Sequence, residues 1–253
     1  MHSNVLDSRS IGLGDAFGQR FMKEGTYRYN VVRPGGGQMV DEFPYEIVVG
    51  RAAADREMHQ ETVLVASKER RLTADNERLQ IQAGDLVVWA PANGEALRFE
   101  VTGEKDFFGS STLKNECGYS HAFGLPGDYA WRDANGGTTR GVVRVKAPKM
   151  DGPAGIERWK RNLANAQLVM INNGKAEPAE VDIEVGQTVY FAVVNGDGIT
   201  VTDDQLLEAG GHDIGTKYDD AKSQTKPMPT KPKPTKRTGA TRGTGKAAKK
   251  KAT

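Results

Sequence analysis

The chain has 253 residues, is 37% apolar and 27% charged, and carries one cysteine and a formal net charge of +2. This length fits two domains of about 100 residues each, and the single cysteine, Cys117, excludes an internal disulfide. No apolar run reaches the about 18 residues of a transmembrane helix, and the N-terminus lacks the basic and apolar regions of a secretory signal. We therefore expect a cytoplasmic protein without a membrane span.

Most segments alternate apolar and polar residues, which predicts short β-strands separated by Gly-containing turns. In chain order these segments are 16–21, 24–29, 45–49, 79–90, 96–101, 118–123, 126–131, 141–145, 181–194 and 198–201. Helices are predicted at 52–61 and at 155–167, where Ile156, Trp159 and Leu163 form an apolar stripe. This spacing of strands indicates an all-β fold of Greek-key β-sandwiches.

An internal repeat with a period of 102 residues runs through the chain. Two blocks carry it, each with the same offset. The equivalent pairs are Ile11/Leu113, Phe17/Tyr119, Phe21/Phe123, Gly25/Gly127, Tyr27/Tyr129 and Tyr29/Trp131 in the first block, and Leu79/Val181, Ile81/Ile183, Gly84/Gly186, Val87/Val189, Trp89/Phe191 and Asn93/Asn195 in the second.

The repeat predicts a division in which one unit is whole and the other is assembled from the chain's two ends. The whole unit is 51–150, and 1–50 is expected to pair with 165–210, because half a sandwich cannot bury its own apolar face. Residues 151–164 are a linker with a helix, and 211–253 are a disordered tail. The end halves are expected to close within one chain, with a domain-swapped dimer or a chain of subunits as the alternative.

The order of these signals resembles the cupredoxin family, the fold of plastocyanin and azurin. The middle unit supplies Gly84-Asp85-Leu86-Val87, Asn93, Phe99, Leu113, Tyr119 to Phe123, Gly127-Asp128-Tyr129-Ala130-Trp131 and Gly141-Val142-Val143. The resemblance covers about 70 residues of that unit and the two end halves. It implies two cupredoxin-like Greek-key sandwiches, one of them permuted or swapped.

The copper ligands of that family are missing. A type 1 site needs two imidazoles, a thiolate and a weak axial ligand. Leu97 stands where the resemblance places the strand histidine and Asp133 where it places the thiolate, and the other unit has Ile199 and Val31 there. The loop 134–140 has no His, Cys or Met, whereas 33–43 has Met39 alone; His2 lies upstream with nothing to join it. We expect no metal and no cofactor.

Two further residue patterns are interpreted as structural. Cys117 and His121 lie in an alternating strand, where four residues span about 13 Å, too far for one metal ion. Cys117 is therefore expected to be a buried or edge residue and His121 a histidine at the edge of the core. The run 35–37 of three glycines lacks the Lys-Ser/Thr of a phosphate loop, and no catalytic motif is present, so we expect no enzymatic activity.

The C-terminal tail is strongly basic, whereas the rest of the chain is acidic. Residues 221–253 hold eleven of the 35 basic residues and no acidic one, so residues 1–220 carry 24 basic and 33 acidic side chains, about −9. Proline, glycine and lysine deny this segment a core. Its predicted polyanion-binding residues are Lys226, Lys231, Lys233, Lys236, Arg237, Arg242, Lys246, Lys249, Lys250 and Lys251.

The tail resembles those of linker histones, which implies non-specific binding to nucleic acid through phosphate contacts. An acidic protein partner, an anionic membrane, the protein's own acidic body and a mere solubility role are the alternatives. The sequence therefore predicts a non-enzymatic, copper-free structural or binding protein tethered by its tail. Two other hypotheses stay open: an assembly protein forming homo-oligomers through exchanged half-domains, and a copper redox protein with atypical ligands.

Overall fold

The computed structural model describes residues 5–35, 42–52, 55–69, 71–92 and 96–208. These residues are mainly β and form several sheets, as the alternating pattern predicts. The strands are β1 (Asp15–Arg20), β2 (Gly25–Val32), β3 (Tyr45–Gly50), β4 (Gln60–Lys68), β5 (Arg71–Ala74), β6 (Arg78–Gln82), β7 (Leu86–Pro91), β8 (Glu100–Gly103), β9 (Cys117–Ala122), β10 (Gly127–Asp133), β11 (Arg140–Lys146), β12 (Gln167–Asn172), β13 (Lys175–Glu177), β14 (Glu180–Glu184), β15 (Thr188–Asn195) and β16 (Val201–Asp203). The helices are α1 (Gly152–Leu163) and α2 (Asp204–Glu208), with a 3₁₀ turn at Glu104–Asp106.

A central sheet of eight strands runs through both halves of the molecule in the order β13-β12-β15-β9-β1-β7-β4-β5. At its middle, β1 and β9 pair antiparallel with Phe17 opposite Tyr119. These two residues are equivalent in the repeat, so a pseudo-two-fold axis passes between them. On either side of the axis, Phe17 also lies opposite Trp89 and Tyr119 opposite Phe191, again at equivalent positions.

Two four-stranded sheets pack on the inner face of the central sheet. Their orders are β6-β3-β2-β8 and β14-β11-β10-β16. Tyr29 of β2 meets Trp89 with ring centroids 5.3 Å apart, and Trp131 of β10 meets Phe191 at 5.1 Å. All four rings are buried, and aromatic side chains contribute large apolar areas to a core. Equivalent aromatic pairs therefore join the sheets in both halves.

The strand pairing corrects the predicted division of the chain. Strands β2 and β3, within 1–50, pair with β8 and β6. Strands β10 and β11, within 51–150, pair with β16 and β14, in the segment predicted to complete the first fifty residues. The two units are therefore contiguous, β1 to β8 and β9 to β16. This arrangement closes shorter loops than pairing the two ends of the chain, which costs less conformational entropy.

A short strip near the N-terminus does join the second unit. Ser8 donates its amide hydrogen to the carbonyl of Val201 at 2.9 Å, and Asp203 donates to that of Leu6 at 2.8 Å. The equivalent strip, 108–110, lies beside β8 of the first unit through bonds at Gly103 and Ser110. Within the described ranges, the predicted backbone pairing of 1–50 with 165–210 is limited to this strip.

The second predicted helix forms and the first does not. Helix α1 begins three residues before the predicted start, and Trp159 donates its indole hydrogen to the Val185 carbonyl at 2.8 Å. The prediction of a helix at 52–61 is wrong for the described part of that segment: 55–59 are irregular and β4 begins at Gln60. Of the helices in the described ranges, neither has the length and apolar character to span a bilayer.

Candidate functional site

A group of hydrogen-bonded polar side chains is buried where the two units meet. Asp15 of β1 lies opposite His121 of β9, and its Oδ1 is 2.5 Å from His121 Nδ1. Tyr119 donates its hydroxyl hydrogen to the same oxygen at 2.9 Å. The other carboxylate oxygen accepts from the amide of Gly12 at 2.8 Å. A buried carboxylate needs such partners, and here they come from both units.

The N-terminal strip closes this cluster on one side. The amide of Asp7 donates to the Tyr119 hydroxyl at 3.2 Å, and the Asp7 carboxylate pairs with Arg9 at 2.8 Å. Burial, together with the nearby Asp15 charge, holds the pKa of Tyr119 well above its usual value. Burial also raises the pKa of Asp203, on the strand that the strip covers. The N-terminal strip, β9 and β16 therefore line the same buried polar region.

The geometry of His121 is that of an oriented imidazole without access to a substrate. An aspartate at Nδ1 fixes the ring as in hydrolytic triads. The ring is fully buried, however, and packs edge-on against Phe123 at 4.6 Å. Its Nε2 has no hydrogen-bond partner among the described residues. In the structure the pair connects β1 with β9.

Cys117 is buried, as the alternation of its strand predicts. Its thiol donates to Gln19 Oε1 at 2.7 Å, and burial raises its pKa to about 11. A thiolate is therefore disfavoured at neutral pH, which makes this cysteine a poor nucleophile and a poor metal ligand.

The positions matched to copper ligands carry a core residue or a structural carboxylate. Val31 and Ile199 are buried in the core, and Leu97 packs against it. Asp133 accepts hydrogen bonds from the amides of Thr200 at 2.9 Å and Asn135 at 3.1 Å, which fixes the loop after β10. In the described ranges no group of three or more His, Cys, Asp or Glu side chains is placed to hold a metal ion.

The predicted polyanion-binding residues, Lys226 to Lys251, lie outside the described residues, and so do His2 and Met39. The structure therefore brings together a site that sequence reasoning missed. One signal was available: Asp15 shares its strand face with Phe17, and His121 shares one with Tyr119 and Phe123. An ionisable residue on the apolar face of each of two strands indicates that the two side chains form a buried polar contact.

A second buried carboxylate anchors the turn before β7. Arg56 binds both oxygens of Asp85 at 2.8 and 2.9 Å, and the amides of His59 and Gln82 each donate to it at 2.9 Å. Burial alone would raise the pKa of Asp85, but these hydrogen bonds and the Arg56 charge lower it to about 2. This anchor holds 56–59 in an irregular, non-helical conformation, which explains the missing helix.

The described part of the second unit has no such ion pair at the equivalent position. Gln187 is equivalent to Asp85, and its side-chain amide donates to the carbonyls of Asn162 and Asn165 at 2.9 and 3.1 Å. Its Oε1 accepts from the Glu184 amide at 2.7 Å. A neutral amide therefore anchors the end of α1 where an ion pair anchors 56–59.

We expect Asp85→Asn to lower the free energy of unfolding by about 2 kcal/mol at pH 7, because the Arg56 charge loses its partner. Since the pKa of Asp85 is lower in the folded state, its contribution is present above about pH 4 and is lost towards pH 2. Urea titrations across this pH range measure both effects. Asp182→Asn, at an exposed pair with Lys146, is the control; equal losses in the two variants would contradict the anchor.

Comparison with known proteins gives no relative for this chain: no family model, no curated protein and no solved structure matches it.

Proposed function

We propose that this chain is a non-enzymatic binding protein in which two cupredoxin-like units form a rigid body and the basic tail tethers that body to nucleic acid. The observation that carries the proposal is the separation of charge. The tail, 221–253, has eleven basic residues and no acidic one, whereas the rest of the chain has an excess of nine acidic residues. Basic segments of this kind bind phosphates through counterion release without reading bases.

The described fold supports a structural role for the body. The two units share the central sheet, and their joint is a buried polar cluster with no exposure at His121. The segments matched to the cupredoxin pattern begin strands, since Leu86 starts β7 and Gly127 starts β10. Hydrophobic side chains and the hydrogen-bonded Asp133 occupy the positions matched to copper ligands. These features favour a copper-free protein over a redox protein.

Duplex DNA binding, titrated with salt, tests the proposal. The full-length chain should bind, and log K should fall linearly with log salt at a slope of about −0.9 per phosphate contacted. Changing Lys249, Lys250 and Lys251 to Gln should reduce that slope and weaken binding about tenfold or more at low salt. A chain ending at Gly210 should not bind, because the remaining body is acidic.

The matched control changes three basic residues of the body, Arg28, Arg78 and Arg144, to Gln. These side chains lie on the outer faces of the four-stranded sheets in exposed ion pairs, and their loss should leave the slope unchanged. Equal binding by the full-length and shortened chains, or binding by neither, would contradict the nucleic-acid tether. Binding by neither would direct attention to an acidic protein partner or the protein's own body.

A further inference from the structure

The outer face of the central sheet is apolar. Alternation turns Phe17, Trp89, Tyr119 and Phe191 into the core, so the intervening residues of each strand point away from it. At the middle of the sheet these outward residues are small or apolar: Ala16, Gly18, Val88, Gly118, Ser120 and Tyr190. On the six central strands the charged outward residues are Arg20 and Lys68, both at strand ends.

No described helix or sheet covers this face. The four-stranded sheets lie on the opposite side, α1 lies against the turn before β15 through Trp159, and α2 lies against β10 and β16. Leu168, Met170 and Val194, on its outward positions, are 48%, 45% and 47% exposed. Contiguous apolar patches of more than a few hundred Å² are rare on monomers and mark interaction sites.

The other outer faces of the same molecule are built differently. Cross-strand ion pairs cover the four-stranded sheets, with Arg28 and Arg78 beside Glu46 in one and Arg144 beside Glu180 in the other. This is the usual character of a sheet face in water. The contrast within one chain indicates that the face of the central sheet is buried against another surface.

We infer that this face binds the same face of a second copy of the chain. Eight strands spaced about 4.8 Å apart, each about 20 Å long, give a face of about 700 Å². That is close to the about 800 Å² that each partner contributes to a stable interface. The strip beside β16 already closes each chain on itself, so the dimer forms by stacking of sheets and not by exchange of half-domains.

The face also carries a pocket near its middle. The Tyr190 ring lies over Gly118, where an added Cβ would come within 2.0 Å of its hydroxyl oxygen. The equivalent position on the other side of the pseudo-two-fold axis is Val88. Val88, Gly18 and Leu86 line a pocket of about 310 Å³, and Tyr190 forms part of its wall. In a two-fold dimer of stacked sheets, the opposing copy closes this pocket and buries the apolar side chains that line it.

Sedimentation equilibrium of the full-length chain tests the inference. At about 1–100 µM the wild type should form a dimer of twice the 27.5 kDa chain mass, and the dimer should persist in high salt because its contacts are apolar. Val88→Lys should raise the dissociation constant about 100-fold, since each interface would bury two unpaired ammonium groups. Leu168→Lys, at a more exposed position, should weaken the dimer in the same direction without disturbing the fold.

Val48→Lys is the matched control. Val48 has the same residue type and similar burial, but it faces outward from the first four-stranded sheet; this variant should remain dimeric. A wild type that is monomeric at all concentrations would overturn the inference, as would a dimer that survives both Val88→Lys and Leu168→Lys or is lost in Val48→Lys as well. Dissociation of the dimer by salt alone would show that contacts of the basic tail, and not this apolar face, hold the two copies together, which would also overturn the inference. None of these outcomes depends on DNA binding.

Discussion

Asp15→Ala should lower the free energy of unfolding by about 3–5 kcal/mol, because removing one partner of a buried polar pair leaves the others unsatisfied. In this variant His121 Nδ1 and the amide of Gly12 lose the oxygens that they contact at 2.5 and 2.8 Å. The Tyr119 hydroxyl loses its acceptor as well. Water cannot replace the carboxylate without opening the interior, since His121 and Tyr119 are fully buried.

This variant also tests how the two units are coupled. Asp15 belongs to the first unit, and both side chains that bind it belong to β9 of the second. The wild type should therefore unfold in one transition by both circular dichroism and tryptophan fluorescence. Loss of the joint should separate the transitions, because each unit has its own inter-sheet core around Trp89 or Trp131.

Urea denaturation with both probes measures the loss and the separation. Asp128→Ala is the control, since Asp128 is an exposed aspartate on β10 and its removal should not change stability measurably. Asp15→Asn should fall between the wild type and Asp15→Ala, because the amide keeps one acceptor oxygen. A stability of Asp15→Ala within about 1 kcal/mol of the wild type would contradict the proposed role of the joint.

The repeat could be recognised in the sequence because its matching positions are core residues. Residues at an offset of 102, such as Phe17 and Tyr119 or Trp89 and Phe191, occupy matching positions in the sheets. The position at which one unit ends and the next begins was not readable. A periodic sequence is compatible with any starting point. The strand partners are determined by loop closure and by the β1–β9 pairing, and neither of these alters the period of the sequence.

The pairing of residues in the buried joint could not be predicted from the sequence for a related reason. Its members come from segments more than a hundred positions apart, Asp7 and Asp15 on one side and Tyr119 and His121 on the other. Alternation predicted that His121 faces inward, but the identity of its partner depends on the register between β1 and β9. The helix predicted at 52–61 failed similarly, because Asp85, in a distant turn, binds Arg56 and the His59 amide. Tertiary contacts overrode local preference.

Gly141→Ala should lower the free energy of unfolding by about 2–4 kcal/mol, because the site has no space for a methyl group. An added Cβ would lie 2.4 Å from the carbonyl oxygen of Ala179 and 2.8 Å from Nε1 of Trp131. Neither neighbour can move freely. Trp131 is 1% exposed and packs on Phe191, and the Ala179 carbonyl accepts a hydrogen bond from Val142 at 2.9 Å, at the start of the β11–β14 pair.

Gly50→Ala is the matched control for this prediction. Gly50 ends β3, which pairs in parallel with β6 as β11 does with β14, and the nearest atom to its added Cβ is the Ile81 carbonyl oxygen at 3.7 Å. That distance is an ordinary contact, so the substitution should be neutral or stabilise by up to about 1 kcal/mol by restricting the unfolded chain. Thermal and urea unfolding of the two variants separate steric overlap from the general effect of replacing glycine in a strand. If both variants lost the same stability, the close approach of β11 to Ala179 and Trp131 would not be what requires glycine at position 141.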